Sequence, residues 1–595
     1  MKSPESGKTS QSWRHRFLVL GLILTASFAV RLAALKVWGT GSIESDGAEY
    51  ARIAENLRKG VGYVGITTPG RELNYSPLFP LLISAASFVT GDFVWAGRLV
   101  SLVLGALLPL PVFGIASQLF GRRTGFVAAL LTVLHPLLIN LSFAVLSEGP
   151  YATLLLSGVY VVLRALNRSS TRMWSLVGGT FGLAYLVRPE AVAALLISVL
   201  FALTATQEKL AIRCKHAVAA IALFLALALP QITFIYKSTG KVRLDGKSAI
   251  VFAIGARILS AQAHLETDHG LTDAKRDEPS PLPNMESWQP WQDKWATNAI
   301  NSDLEGTGIW MRPNADVIRE SISLAEFARI LERATGQSAP ELLAQLSSKW
   351  LGAPFLPALA MLGALRRPWR RPLASSQLFV MLVPTTAVVA TFAALWIYPR
   401  FYFVLVPFFL IWAANGLVEV GRWTKSSIAV AGWRWLSPGV LACIIPTLIG
   451  LGVVLYPING VRDLYEFKQS SPSTRIVEQV GLWIGQQQNR QVKIMDLTVP
   501  LAFYANAQFV PFPYCSAGLA LHFLDTAQVD YVILHRGERF TQYYEEWLTK
   551  GIPDPRAQLV YVSSGVKAGE ILVFRWHKAN DHFPEVNKPN STRID

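Results

Sequence analysis

A cluster of acidic residues follows the first long apolar segment of the chain. Asp46 comes directly after this segment, and Glu49 and Tyr50 lie one helical turn later, where they can share a face with it. A carboxylate inside membrane hydrocarbon costs roughly 2.5–3.5 kcal/mol, so we expect the cluster at the water boundary. Asp46 is therefore either a general base for a hydroxyl group or an acid that begins a surface helix.

Further charged residues interrupt later apolar segments. Glu148 lies between two of them, Arg188 and Glu190 share a tight turn, and Arg400 follows Trp396-Ile-Tyr-Pro. Two guanidinium groups on one face of the protein would bind a phosphate through bidentate hydrogen bonds. The alternative for Glu148 is an acid that satisfies free N–H groups at a helix N-terminus. Arg188 and Glu190 could instead neutralise each other within their turn. The two arginines could also simply anchor helix ends at the membrane interface.

The composition is that of a membrane protein. Of 595 residues, 51% are hydrophobic and 16% are charged, whereas soluble domains carry about 25% charged residues. The net charge of +15 does not indicate nucleic-acid binding, because the basic residues lie in short clusters between apolar runs. Cys214, Cys443 and Cys515 are too far apart for a metal motif or a disulfide framework, and we interpret them as unpaired thiols.

The apolar runs predict a polytopic α-helical membrane protein with about eleven transmembrane helices. The segment Pro77–Val89 is short and bracketed by prolines, which favours a partial or interfacial helix. Residues 1–16 are polar and basic and are predicted to be cytoplasmic, and residues 17–456 form the transmembrane domain. The predicted spans are 17–38, 93–119, 124–143, 147–166, 173–188, 190–206, 216–236, 350–365, 374–395, 401–419 and 438–456.

The distribution of charge predicts which loops face the cytoplasm. With a cytoplasmic N-terminus, every predicted inner loop is basic, as the positive-inside rule requires. The first outer loop 39–76, including a surface helix at 48–58, and the insertion 237–349 then lie outside. A soluble α/β domain at 460–580, with strand and helix patterns in alternation, is also extracytoplasmic. Residues 581–595 are predicted to be a disordered tail.

Five sequence pieces occur in the order found in the GT-C membrane glycosyltransferases, and over residues 12–420 the chain resembles the bacterial family-39 type. This type is related to the protein O-mannosyltransferases and the aminoarabinose transferases. The pieces are the segment from Ser45-Asp46-Gly to Gly60, Tyr75-Ser-Pro-Leu-Phe-Pro-Leu-Leu, Ser147-Glu148, Gly182-Leu-Ala-Tyr-Leu-Val-Arg188-Pro-Glu190 and Pro399-Arg400-Phe-Tyr with Pro407.

The resemblance implies roles for individual residues. Asp46 occupies the position of the family's catalytic base, Glu49 or Glu148 that of a supporting acid, and Arg188 and Arg400 are candidates for binding the lipid phosphate. Further candidates for the site are Tyr50, Tyr75 and Glu190.

Two departures from the family pattern affect these assignments. The family often has Asp-Glu where this chain has Asp46-Gly47, and some relatives have Glu-Lys where this chain has Asn74-Tyr75. The acceptor and the metal requirement therefore stay open. No metal-ligand motif is present, and we predict no certain cofactor, with a divalent metal as the alternative.

The resemblance implies a glycosyltransferase of the bacterial inner membrane with its active site on the periplasmic side. Its donor would be a polyprenyl-phosphate-linked hexose or pentose, and its acceptor a hydroxyl group of a protein, lipid or polysaccharide. A single displacement with an aspartate base would invert the anomeric carbon. The alternative is a lipid or sugar transporter or flippase, a class that often has inverted repeats and polar residues near the membrane midplane. Here no repeat is evident, and the charges cluster at one face.

Overall fold

The computed structural model describes most of the helical segments and the C-terminal domain. The described residues are 6–38, 43–168, 170–248, 250, 315–316, 355–365, 371–393, 403–431, 437–470, 474–487, 490–513, 517–536, 541–563 and 570–578. Most of the predicted insertion, Arg400 and the predicted tail lie outside these residues.

Helices account for nearly all of the described chain before residue 470. They are α1 (Ser6–Trp38), α2 (Ser45–Arg58), α3 (Leu78–Thr90), α4 (Phe93–Leu107), α5 (Pro109–Phe120), α6 (Arg122–Leu134), α7 (Pro136–Leu141), α8 (Glu148–Leu166), α9 (Thr171–Val187), α10 (Ala191–Thr204), α11 (Leu210–Thr239), α12 (Phe355–Leu365), α13 (Arg371–Ala393), α14 (Val406–Ala431) and α15 (Pro438–Ser470).

Among the described residues, six helical segments are long and apolar enough to cross a membrane. They are Leu18–Val37, Phe93–Phe120, Glu148–Leu166, Leu210–Thr239, Phe403–Ser427 and Gly439–Ile458. Shorter apolar helices accompany them, including α3, α10 and α12. The predicted class, a polytopic α-helical membrane protein, is confirmed.

Prolines modify two of the predicted spans in different ways. The span 93–119 continues through Leu108, whose backbone is helical, so that α4 and α5 form one crossing. The prediction of one helix over 124–143 is wrong, because His135 has an extended backbone and separates α6 from α7. Pro136 causes this break, since proline disfavours the helical conformation in the residue before it.

Helix α2 differs from the predicted surface helix in its start and its burial. It begins at Ser45 rather than Ala48, and most of its first nine residues are buried. Its apolar side chains share one hydrophobic core with α3, α4 and the C-terminal domain. The helix is therefore enclosed on several sides, because the C-terminal domain covers the face that the sequence alone would leave open.

The C-terminal domain is a small α/β unit, as predicted. Its five-stranded sheet has the order β2-β1-β3-β5-β4, with parallel pairs on one side and antiparallel pairs on the other. Helix α15 continues to Ser470, past the start predicted for this domain. The elements are α16 (Thr474–Gln486), β1 (Lys493–Asp496), α17 (Pro500–Tyr504), β2 (Gln508–Pro511), α18 (Ala517–Thr526), β3 (Tyr531–His535), α19 (Gln542–Lys550), β4 (Ala557–Val562) and β5 (Ile571–Trp576).

Candidate functional site

The first turn of α2 positions Asp46. Glu44 caps the helix in an extended conformation, and Asp46 follows within the first turn. Free N–H groups at a helix N-terminus favour a negative charge. Tyr75, 29 residues later, donates a hydrogen bond from its hydroxyl to Asp46 Oδ1 at 2.9 Å. The hydrogen bond from Tyr75 holds the carboxylate in place, and Asp46 as a whole is half-buried.

Tyr50 lies one turn further along α2 and connects it to the start of α8. Its ring packs edge-on against the rings of Tyr75 and Phe79, with centroid distances of 4.9 Å in both pairs. Burial, followed by the nearby Glu148 and Asp46 carboxylates, raises the pKa of Tyr50 well above its ordinary value. Its hydroxyl therefore stays protonated and can only donate or accept hydrogen bonds at neutral pH.

A chain of alternating charges extends from α8 to the segment after α11. Glu148 is the first residue of α8, and its Oε1 lies 2.9 Å from Arg188 Nη1. Arg188 Nη2 lies 3.2 Å from Glu190 Oε1, which in turn lies 2.8 Å from Lys247 Nζ. Glu148 and Arg188 are buried, whereas Lys247 is 29% exposed. The two cations and two carboxylates balance in formal charge.

The structure thus brings six of the sequence-predicted site residues into one region: Asp46, Tyr50, Tyr75, Glu148, Arg188 and Glu190. Asp46 and Tyr75 are joined by a hydrogen bond, and Tyr50 is electrostatically coupled to Asp46, Glu148 and Arg188. Arg400 lies outside the described residues, so its predicted role stays a prediction.

Glu49 differs from these residues in that its carboxylate holds the loop that follows α2. Both of its carboxylate oxygens accept hydrogen bonds from Ile66 N, at 2.9 and 3.0 Å. A Cβ atom at Gly65 would overlap this carboxylate, so the close approach requires glycine. Burial and the charge of Glu72 raise the pKa of Glu49 to about 8. Its surroundings are those of a residue that organises the loop.

The sequence reasoning missed two charged residues of this region. Lys247 lies in the insertion and pairs with Glu190. Glu72 is buried, accepts hydrogen bonds from Thr68 Oγ1 at 3.1 Å and Asn74 N at 2.5 Å, and has its pKa raised to about 7 by burial. Glu72 comes shortly before the Tyr75-Ser-Pro piece, a signal that could have identified it. No local pattern marks Lys247.

The divalent metal that the sequence left open stays a prediction, and the described carboxylates of this region are engaged by other groups. Within the described ranges, no group of three or more His, Cys, Asp and Glu side chains could hold a metal ion. The Asp46 carboxylate is bound by Tyr75, and that of Glu148 by Arg188. The arrangement offers a carboxylate that can take a proton, in the same region as cations that can stabilise a developing negative charge.

Comparisons with known proteins give a family match over part of the chain. Residues 74–234 match the family model of dolichyl-phosphate-mannose-protein mannosyltransferases. A search of curated proteins finds no significant match.

Solved structures share the fold of the chain at low sequence identity. The Archaeoglobus fulgidus oligosaccharyltransferase AglB, in complex with an inhibitory peptide and dolichol-phosphate, is 14% identical, with a TM-score of 0.54 over 88% of this chain and 70% of that one. ArnT from Cupriavidus metallidurans, bound to undecaprenyl phosphate, is 12% identical, with a TM-score of 0.52 over 94% of this chain and 98% of that one.

Proposed function

We propose that this polytopic protein, which has the GT-C membrane glycosyltransferase fold, transfers a sugar from a polyprenyl-phosphate-linked donor to an acceptor hydroxyl group. The mannosyltransferase family match supports the reaction class. The polyprenyl phosphates bound by AglB and ArnT support the donor class. The expected resemblance to GT-C enzymes is confirmed by the family match and the shared fold.

The observation that supports the mechanism is the half-buried Asp46, whose carboxylate is bound by Tyr75 and acts with the Glu148–Arg188 pair on the same Tyr50 hydroxyl. In the proposed step, Asp46 takes the proton of the acceptor hydroxyl while the oxygen forms a bond to the anomeric carbon. The bond from that carbon to the phosphate oxygen breaks, and its electron pair leaves with the polyprenyl phosphate. One displacement of this kind inverts the anomeric carbon. Tyr75 orients the base and does not itself exchange the proton.

The cations of the charge chain are proposed to stabilise the departing phosphate. Arg188 is buried and shared between Glu148 and Glu190, so a phosphate must compete with these carboxylates for it. Lys247 is more exposed and contacts only one carboxylate at its ammonium group among the described ion pairs. We therefore add Lys247 to Arg188 as a phosphate-binding candidate, and Arg400 stays a third candidate from the sequence.

The proposed location of the site is the periplasmic side of a bacterial inner membrane. Helix α8 begins at Glu148 in the site and ends near the basic residues Arg164 and Arg168. Nineteen helical residues span about 28 Å, close to the thickness of the hydrocarbon core. Because basic loops face the cytoplasm, the site and the C-terminal domain belong on the opposite side. The acceptor class, whether protein, lipid or polysaccharide, is not assigned.

The decisive experiment replaces the base. Purified protein in liposomes is given a panel of labelled polyprenyl-phosphate sugars, and release of polyprenyl phosphate is measured. Asp46→Asn is expected to lower turnover by about 10²–10⁴-fold, the usual contribution of a general base. Asp92→Asn is the matched control, because Asp92 caps α4 through Trp95 N and asparagine also caps helices.

Two results would contradict the proposal. Full turnover by Asp46→Asn would remove Asp46 from the mechanism. Movement of the intact labelled lipid between leaflets, without any cleavage of the sugar–phosphate bond, would instead favour a flippase.

A further inference from the structure

A large cavity lies between α5, α6, α8, α14 and α15, apart from the candidate site. Its volume is about 1560 Å³, more than the roughly 300–1,000 Å³ of pockets that hold drug-sized ligands. Its walls are mainly apolar, formed by side chains such as Phe113, Leu131 and Leu134. Small residues on α15, including Gly439, Ala442 and Gly450, widen it on one side. The cavity can therefore hold a long apolar body.

The cavity lies at the opposite end of α8 from Glu148. Arg164 and Arg168, at and just after the last turn of α8, line the cavity. Because α8 spans about 28 Å, these side chains and the candidate site are at opposite faces of the helical domain. None of the residues of the candidate site around Asp46 lines the cavity, so the cavity is a separate site.

Basic side chains from three parts of the chain converge on this cavity. They come from the start of α6, the end of α8 and the middle of α14, and no Asp or Glu lines the cavity. They are Arg122, Arg123, Arg164, Arg168, Arg422 and Lys425. Arg422 pairs with Glu419 at 2.5 Å, but in the described part of the chain no carboxylate pairs with the other five.

The combination of apolar walls and converging cations restricts the chemistry of the occupant. A soluble anion would leave the apolar walls in contact with water, and a neutral lipid would leave the cations without a counter-charge. An anionic headgroup on an apolar body satisfies both. Basic loops alone follow from the orientation of any membrane protein. The distinguishing observation is that these cations line one large, mainly apolar cavity.

We propose that this cavity binds one anionic diacyl phospholipid from the membrane leaflet that the basic loops face, with its headgroup among the arginines and its chains along α6 and α15. The site is independent of the proposed sugar transfer. Binding there would stabilise the packing of α14 and α15 against α5, α6 and α8.

Two described cysteines allow a direct test in the full-length protein. Cys443 lines the cavity, whereas Cys214 is not among the lining residues; both are free, exposed and close to the start of a helix. Cys515 is replaced by serine in all samples. The protein is placed in bilayers of phosphatidylcholine, with or without phosphatidylglycerol, and maleimide labelling of each cysteine is followed. Phosphatidylglycerol should slow labelling of Cys443 about tenfold and leave Cys214 unchanged.

A charge-matched pair of variants separates a specific site from a diffuse surface field. Arg123, Arg164 and Arg168 are changed to glutamine in one variant. In the control, the exposed residues Arg172, Lys209 and Lys215, which do not line the cavity, are changed to glutamine. Each cation contributes roughly fivefold to the affinity for phosphatidylglycerol, so the loss of three should abolish the tenfold protection of Cys443 in the first variant only. Thermal unfolding of both variants checks that they remain folded.

The alternatives give different outcomes. Equal loss of protection in both variants would overturn the proposal in favour of general surface attraction. Equal protection by pure phosphatidylcholine would show a nonspecific lipid, protection by inorganic phosphate would show a site for a free anion, and stronger protection by polyprenyl phosphate would show a second site for the donor lipid. Each of these results contradicts an anionic phospholipid site. None of them depends on whether the protein transfers sugar.

Discussion

At the scale of single residues, the candidate site combines a base held by a hydrogen bond with cations held by ion pairs. Asp46 depends on Tyr75, and Arg188 is held by Glu148 and Glu190. Removing one member of a buried ion pair leaves an uncompensated charge and costs about 3–5 kcal/mol. Substitutions of Arg188 therefore change folding as well as chemistry, and more exposed residues make clearer tests of mechanism.

Tyr75→Phe removes the hydroxyl that bonds Asp46 and keeps the aromatic packing. The ionised form of Asp46 loses a hydrogen bond that favours it, so the base becomes protonated at a higher pH. The acid limb of the pH–rate profile should move to higher pH, with turnover at alkaline pH largely retained. Tyr63→Phe, which removes a hydroxyl bound to the backbone carbonyl of Tyr75, is the control. An unchanged acid limb in Tyr75→Phe would separate Tyr75 from the base.

Lys247→Gln tests the proposed phosphate contact. A hydrogen bond to a charged group contributes about 1.5–3 kcal/mol, so the KM for the lipid donor should rise roughly tenfold or more. Lys237→Gln, at the exposed end of α11, removes the same charge without the Glu190 contact and should leave KM unchanged. Equal KM values in the two variants would exclude Lys247 from donor binding.

At the scale of elements, α2 and the loop after it form one unit around two buried carboxylates. Glu49 binds the loop at Ile66, and Glu72 binds it at Thr68 and Asn74. Burial raises the pKa values of both groups, to about 8 and about 7. Above the ordinary carboxyl pKa, the unfolded chain loses these protons. The folded protein keeps both carboxyl groups protonated until the pH reaches the raised pKa values.

These raised pKa values predict how stability depends on pH. The stabilisation from each protonated carboxyl is complete below pH 4.5, the ordinary value, and is lost as pH rises through about 7 for Glu72 and about 8 for Glu49. The side chain of Glu49→Gln stays neutral at every pH. Between pH 6 and pH 9, the free energy of unfolding of this variant should therefore fall less than that of the wild type, by at least about 1.4 kcal/mol. Thermal unfolding in detergent measures this, with Glu55→Gln on the same helix as control. Parallel curves for wild type and Glu49→Gln would contradict the assignment.

At the scale of the whole molecule, the C-terminal domain is docked onto α2, the helix that carries Asp46. Arg52 Nη2 donates to the carbonyl of Phe503 at 2.7 Å, and Nη1 donates to Asn506 Oδ1 at 2.5 Å. Apolar side chains of α2 and of the domain belong to the same core. The position of the proposed base is thus coupled to a domain that is remote in sequence.

Arg52→Ala should loosen this docking. Loss of hydrogen bonds to a charged group is expected to speed amide hydrogen exchange in α17 about tenfold or more, since local opening becomes less costly. Arg58→Ala is the control on the same helix, because Arg58 contacts Ser87 of the helical domain instead. If exchange in α17 is the same in both variants, Arg52 does not maintain the interface.

The sequence by itself determined the membrane class, the helical segments and most of the residues that meet at the site. Long apolar runs need only their own composition to cross a bilayer, and the ordered pieces around Asp46, Glu148 and Arg188 are recognisable locally. Proline at position 136 could also have predicted the break in the 124–143 segment, because its effect on the preceding residue is local.

The tertiary structure decided which side chains meet. Glu49 lies one turn from Asp46 but binds a different part of the same loop, at Ile66 rather than Tyr75, and Lys247 reaches Glu190 across 57 residues. The burial of α2 under the C-terminal domain and the basic cavity between α6 and α15 also depend on how distant elements pack. Sequence spacing determines the face of a helix on which a residue lies. The partner opposite that face depends on the packing of distant elements, which no local pattern encodes.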